Sequence, residues 1–276
     1  VIFTSGVTHS INMVAFGYLN NLLLPGDEIL IGEMEHHANI VPWQAIASKM
    51  KFKINVINCC KDGKIKIDDL RKKLNSSVKL LAIQHVSNIT GHENNIKEIC
   101  SIAHAENIKV FVDGAQAVSH KKIDVQDLDC DFYCFSGHKC YGPTGVGVLY
   151  GKKSCLLKMD PFMYGGNMIN KVSFENSSWG EIPHKFEAGT ANIAGVIGLG
   201  ESIKYISSVG LKNIQEREAL LINKMWHHLK SIDEVIVYTN TMPTSPIFSF
   251  NLKNIHSYDA GSLLDEMNIC VRTGHL

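Results

Sequence analysis

Phe132-Tyr133-Cys134-Phe135-Ser136-Gly137-His138-Lys139-Cys140-Tyr141-Gly142-Pro143-Thr144-Gly145 sets a lysine between a Ser/His pair and a glycine-rich turn, directly after an apolar run that reads as a strand. Each residue type suits one job. The Lys139 amine can bond covalently to a carbonyl carbon, Ser136 and His138 can hold an oxyanion, and the glycines permit close backbone approach or positive φ. A lysine in a glycine-rich loop is equally an ordinary solvated side chain. The stretch therefore gains meaning from what the rest of the chain delivers to the same place.

Upstream, apolar runs alternate with helical patterns at short intervals. Strands are expected over 1–4, 29–31, 53–58, 80–83 and 109–112. The first helix carries Ile11, Val14, Ala15, Tyr18, Leu19 and Leu22 on one face. Further helices are expected over 40–50, 68–73 and 95–106, with Pro42 tolerated in a first turn. Continuous apolar strands alternating with helices indicate an α/β fold, a mostly parallel sheet covered on both faces. His36, Asn88, Asp113, Gln116, Ser136, His138 and Lys139 all fall just beyond the carboxyl end of a strand. That edge is where open α/β sheets bind ligands. The Ser5-Gly6-Val7-Thr8-His9-Ser10 turn reads either as an anion site at a helix start or as a simple cap by Thr8 or Ser10.

Downstream of Gly151 the pattern loosens into loops over 161–167 and 186–192, then a helix over 193–207. Val209-Gly210 marks a domain boundary, dividing 1–208 from a smaller α+β segment, 209–276. In that segment a long amphipathic helix is expected over 211–231, strands over 235–238, 247–250 and 269–272, and a helix over 258–267.

The totals narrow the function. Lys+Arg and Asp+Glu both count 27, so the formal charge is zero and nothing argues for nucleic acid or an anionic membrane as partner. No apolar run approaches the ~18 residues of a membrane span. The 8 cysteines form no C-x-x-C pair, which favours a reducing compartment over a disulfide framework. With neither H-E-x-x-H nor a Cys/His ladder, no metal site is expected. Gly145-Val146-Gly147 with Gly151 is not a dinucleotide fingerprint, and the run from Gly147 to Ser154 is one residue short of a Walker loop. The ends, Val1-Ile2-Phe3-Thr4 and Arg272-Thr273-Gly274-His275-Leu276, read as cuts inside a longer protein.

Pyridoxal 5′-phosphate (PLP) fits this set. It needs a lysine, an acidic partner for its pyridine nitrogen, a phosphate cup and a group against the ring face. Lys139, Asp113, the Gly6–Thr8 turn and His36 are the candidates. Seven segments carry a more specific resemblance. They are Phe3-Thr4-Ser5-Gly6-Val7-Thr8, Met34-Glu35-His36-His37-Ala38-Asn39-Ile40-Val41-Pro42-Trp43, His85-Val86-Ser87-Asn88, Asp113-Gly114-Ala115-Gln116, Ser136-Gly137-His138-Lys139, Phe186-Glu187-Ala188-Gly189-Thr190 and Arg272-Thr273-Gly274-His275. In this order they resemble the cysteine desulfurases of the sulfur-mobilising group, class-V aminotransferase family members with the fold-type I PLP-dependent architecture.

The resemblance implies roles residue by residue. Lys139 is similar to the lysine that binds the cofactor and shuttles the Cα proton, and Asp113 to the carboxylate that keeps the pyridine nitrogen protonated. Gln116 is implied to bond the ring oxygen, and His36 to stack on the ring and assist proton transfer. Thr8, Ser136 and His138 are implied to hold the phosphate, with Thr190 reaching that of a neighbouring subunit. Asn88 and Arg272 are implied to hold the carboxylate of L-cysteine. The resemblance further implies a homodimer, a sulfur-acceptor protein of the SufE/SufU type, service to iron–sulfur cluster assembly, and a cytoplasmic or plastid-type location. Val7 stands where a second hydroxyl is common, and the family's nucleophilic cysteine is expected just past Leu276, so the 276-residue chain is expected to transfer little sulfur. A selenocysteine lyase or kynureninase-like hydrolase shares most of this set, and a non-catalytic interaction protein on the same fold is a further alternative.

Overall fold

The computed structural model describes residues 1–274. His275 of the Arg-x-Gly-His motif lies outside the described residues. The strands of the main sheet are β1 (Ile2–Thr4), β2 (Glu28–Gly32), β3 (Lys53–Ile57), β4 (Val78–Gln84), β5 (Lys109–Asp113), β6 (Phe132–Ser136) and β7 (Gly147–Gly151). They stand in the order β1-β7-β6-β5-β4-β2-β3. Strands β3, β2, β4, β5 and β6 run parallel, whereas β7 is antiparallel to both β6 and β1.

Period-two alternation sorts the strand residues into two cores. Ile29 and Ile31 of β2, Leu80 and Ala82 of β4, Phe111 of β5, and Phe132 and Cys134 of β6 face α1 (Val7–Met13) and α2 (Val41–Met50). Leu30, Leu81, Ile83, Val110, Val112 and Tyr133 face the opposite way, toward α3 (Ile67–Lys73) and α4 (Ile96–Ala105). Both faces are covered, which is why these strands read as unbroken apolar runs. Asn95 caps α4, its side chain accepting from the Glu98 N–H at 3.4 Å while its amide donates to the Glu98 carboxylate at 3.0 Å.

The expected elements recur with corrections. The first helix keeps its predicted face, with Ile11, Val14, Ala15, Tyr18 and Leu19 buried. Only Val7–Met13 is α-helical; a π turn at Val14–Tyr18 and a 3-10 turn at Leu19–Asn21 finish it. The glycine-rich turn after Lys139 ends in a strand, β7, which its flanking glycines disguised. An exposed hairpin, β8 (Ile169–Val172) and β9 (Ser177–Trp179), occupies a stretch with no predicted element. The helix α6 (Lys153–Leu157) precedes it, and a short α5 (Val125–Leu128) lies between β5 and β6.

Beyond the hairpin, α7 (Ile193–Val209) packs Leu199 and Ile206 on Val146 and Val148. Gly210, at φ 85°, separates α7 from α8 (Leu211–Lys230). Strands β10 (Val235–Val237) and β11 (Phe250–Leu252) pair antiparallel, followed by α9 (Ser257–Glu266). The strand expected over 247–250 thus forms three residues later. The strand expected over 269–272 does not form: Ile269, Cys270, Val271 and Arg272 are exposed and have no ladder partner among the described residues. An apolar run becomes a strand only where a neighbour accepts its backbone hydrogen bonds.

The connection between β10 and β11 docks on the loop after β4. Ser245 N–H donates to the Gly91 carbonyl at 2.9 Å, and the Ser249 hydroxyl donates to the Ile89 carbonyl at 2.6 Å. Thr241 joins Asp62 and His92, at 2.7 and 2.9 Å. Among the described residues no helix is long and apolar enough to cross a membrane.

Candidate active site

Strand parity puts Gln84, Asp113 and Ser136 on one face of the sheet, at the carboxyl ends of β4, β5 and β6. Gln84 and Asp113 are direct register partners. The loops leaving those ends close a cavity of about 290 Å³. It is lined by Val7, Thr8, His36, Ala38, Gln84, Val86, Asn88, Asp113, Ala115, Gln116, Ser136, His138 and Lys139. Every residue singled out at the sheet edge from sequence reaches this one wall.

Lys139 ends a 3-10 turn, Gly137–Lys139, which opens directly from β6. The turn is closed underneath, with Gly137 N–H donating to the Val146 carbonyl at 2.8 Å and Gly142 N–H to the Gly137 carbonyl at 2.9 Å. Gly6 and Gly147 let the α1 start reach it. A Cβ on Gly147 would sit 2.5 Å from the Gly6 Cα, and Gly6 holds φ 147°. This approach lets Val7 N–H donate to the Ser136 hydroxyl at 2.9 Å, joining the helix start to the lysine turn. Thr8 is exposed beside it.

Asp113 is buried, and its carboxylate accepts from Ala115 N–H at 2.9 Å. Burial pushes its carboxyl up, while the Ala115 N–H and the charge of Lys139 oppose that push. A cation seated against Asp113 strengthens the opposition, since an opposite charge favours the ionised form. His36 stands at the start of a 3-10 turn, and its Nδ1 accepts from Ala38 N–H at 3.1 Å, which leaves the proton of the neutral ring on Nε2. Burial, then Lys139 and His37, hold the imidazole below its ordinary value. The site thus pairs a neutral ring with a buried carboxyl and an amine.

Asn88 Oδ1 is buried without a hydrogen-bond partner among the described residues. A buried open acceptor costs about 1–3 kcal/mol, and Asn88 itself belongs to the cavity wall. An amine, a buried acid, hydroxyls at a helix start and the Asn88 amide are the groups that PLP and an amino-acid substrate require. The residues present fit that group.

Two expected residues lie apart. Arg272 lines a larger cleft of about 800 Å³, which meets the first at Asn88. Thr190 is exposed and outside both. Cys140, next to Lys139, is 1% exposed, and its thiol is directed to the Ser136 and Gly137 carbonyls at 3.7 and 3.3 Å. Burial pushes that thiol up, so it is no nucleophile for this cavity. Cys270 lines the larger cleft. Gln84 and Val86 were missed from sequence, although the last residue of a parallel strand with Asp113's parity was a readable signal.

The parallel sheet with its antiparallel β7, and a lysine, a carboxyl and a helix start at its carboxyl edge, define a PLP-dependent enzyme of fold type I. The chain belongs to the aminotransferase class-V family, whose model matches residues 1–276. A cysteine desulfurase of Wigglesworthia glossinidia brevipalpis is 49% identical over 280 residues, covering 100% of this chain and 67% of that protein. The crystal structure of the Escherichia coli cysteine desulfurase CsdA superposes with a TM-score of 0.94 at 37% identity, covering 98% of this chain and 67% of that one. A mutant of C-DES with glycine covalently linked to its PLP cofactor superposes with a TM-score of 0.89 at 25% identity, over 99% of this chain and 73% of that one.

Proposed function

We propose that the chain carries the PLP-binding part of a cysteine desulfurase, converting L-cysteine to L-alanine with the sulfur retained as a protein persulfide. The observation that supports this most directly is the convergence of Lys139, Asp113, His36, Ser136 and Asn88 on one cavity. PLP, when bound, supplies an electron sink for the carbanion that forms at the substrate Cα.

The protein's own residues do the rest. Lys139 anchors the cofactor and carries the proton away from Cα. Asp113 would hold the proton on the pyridine nitrogen of a bound cofactor, and Gln116 would bond its ring oxygen. His36 covers the ring face as a neutral imidazole. Thr8, Ser136 and His138 hold the phosphate at the α1 start, where free N–H groups favour an anion. Asn88 and Arg272 hold the substrate carboxylate from the two sides of the joint between the clefts. A cysteine thiolate attacks the substrate sulfur, forming an S–S bond as the C–S bond breaks. The bonding pair stays on the substrate carbon, which takes a proton and leaves as alanine. A sulfur-acceptor protein then collects the persulfide sulfur for iron–sulfur cluster assembly.

Residues 1–208 form the cofactor-binding domain in this reading, and 209–276 belong to a smaller one. A homodimer completes the site, with Thr190 of the exposed loop reaching the partner's phosphate group. The exposed side chains of Met163, Tyr164, Val172, Phe174, Ile193 and Ile197 support an interface on that side.

The deciding experiment is a visible absorption spectrum of the purified chain with PLP, beside Lys139→Ala. The parent gains a band that Lys139→Ala lacks. Absence of the band from both overturns the reading. Comparing L-cysteine with L-selenocysteine as substrate of a chain extended past Leu276 then separates a desulfurase from a selenocysteine lyase.

A further inference from the structure

The loop that presents His36 is tied down by a carboxyl group with no place in the chemistry above. Glu35 is 8% exposed, and each of its oxygens accepts a hydrogen bond from a different element. Oε1 accepts from Gln84 N–H at 3.0 Å, at the carboxyl end of β4. Oε2 accepts from the Asn39 amide at 2.6 Å, on the far side of His36. Asn39 is itself fully buried and oriented, because its Oδ1 accepts from Trp43 Nε1 at 2.9 Å. The Gln84 amide returns to the same loop, donating to the Met34 carbonyl at 2.5 Å. Room for the carboxyl comes from Gly32, where a Cβ would lie 2.5 Å from Glu35 Oε1.

We propose that Glu35 is a positioning residue, which clamps the residues on both sides of His36 to the strand end beside Asp113 and so fixes the imidazole in the cavity wall. The proposal rests on the reading of His36 as a ring-facing residue. Burial pushes the Glu35 carboxyl up to about 8, and the Asn39 and Gln84 donors pull against that push. Two donors facing two carboxyl oxygens, with a glycine opposite, tie the group to both elements at once.

The test is PLP affinity, titrated by absorbance, in E35Q, N39D, the double variant E35Q/N39D, and E35Q in an H36A background. An amide at position 35 turns a donor toward another donor. E35Q therefore weakens PLP binding by about tenfold, the factor for one lost hydrogen bond to a charged group. In E35Q/N39D the amide introduced at position 35 donates to the carboxylate introduced at position 39, which still accepts from Trp43. The clamp re-forms, and affinity returns to within about threefold of the parent, less than 0.7 kcal/mol by the same conversion. In the H36A background E35Q has no further effect, because there is no imidazole to position.

Far-UV circular dichroism and thermal unfolding of each apo variant establish that it is folded. Unchanged affinity in E35Q, failure of N39D to restore it, or an equal loss with and without His36 overturns the clamp while leaving the functional reading in place. A parent chain that binds no PLP overturns both.

Discussion

His36 is a residue whose protonation the structure ties to its neighbours. Its Nδ1 accepts a backbone N–H, and burial lowers its pKa, with the Lys139 charge adding to the effect. Its NMR titration midpoint is therefore expected below the ordinary 6.5, so the ring is neutral at pH 7. Replacing Lys139 by Met is expected to raise the midpoint without restoring the ordinary value, because burial is the larger cause. A midpoint at or above 6.5 in the parent contradicts the geometry. The types of the reacting residues were legible from sequence, since a lysine, an acid and a histidine each followed a strand end. The clamp beneath His36 was not, because a glutamate beside two histidines carries no sign of burial until Gly32, Asn39 and Gln84 close around it.

Elements followed sequence wherever their hydrogen bonds stayed local or their burial was two-sided. The helices α4 and α7 fall within two residues of their expected limits because caps and periodicity mark them. The strand β7 escaped notice because its ends are glycines, Gly147 lying against Gly6 and Gly151 against Leu156. The hairpin β8–β9 also lacked a signal, as its side chains meet no core within the chain. Its exposed apolar side chains suit burial against a second copy. F174D is expected to leave stability within about 0.5 kcal/mol, as for a surface position. It is also expected to shift the mass measured by light scattering from dimer toward monomer. A dimer that persists in F174D removes the hairpin from the interface.

At the scale of the molecule, the sheet has a functional edge and an opposite edge that is held by charge. Asp131, at the amino end of β6, is fully buried, and accepts from His104 Nε2 at 2.7 Å, Lys109 Nζ at 3.0 Å and Val110 N–H at 2.9 Å. Although burial opposes it, these partners bring the carboxyl from 3.8 to about 2. A depressed carboxyl contributes stability that is present above its unfolded value and lost as pH falls through the folded one. Acid unfolding of the parent is thus expected to steepen between pH 3.8 and about 2, and D131N is expected to lose that component. At pH 7, D131N is expected to unfold about 2–3 kcal/mol more easily. This is less than the ~3–5 kcal/mol of a fully buried pair because Lys109 is partly exposed and screened by solvent. Urea titrations at pH 7 and pH 3 measure both effects.

Alternation of apolar runs and helical periods was enough to specify an α/β sheet, its direction and the edge that carries function. Those properties depend on short-range spacing, which composition and period record directly. Tertiary structure alone decided which residues at that edge share a cavity and which stand apart. Spacing along the chain does not say whether Arg272 shares a cavity with Lys139, and the fold places Lys139 in the wall and Arg272 across the Asn88 joint. It also decided that the 269–272 run stays unpaired and that Glu35 is buried between two donors. Pairing and burial depend on partners far away in the chain, and a local pattern cannot encode which partner arrives.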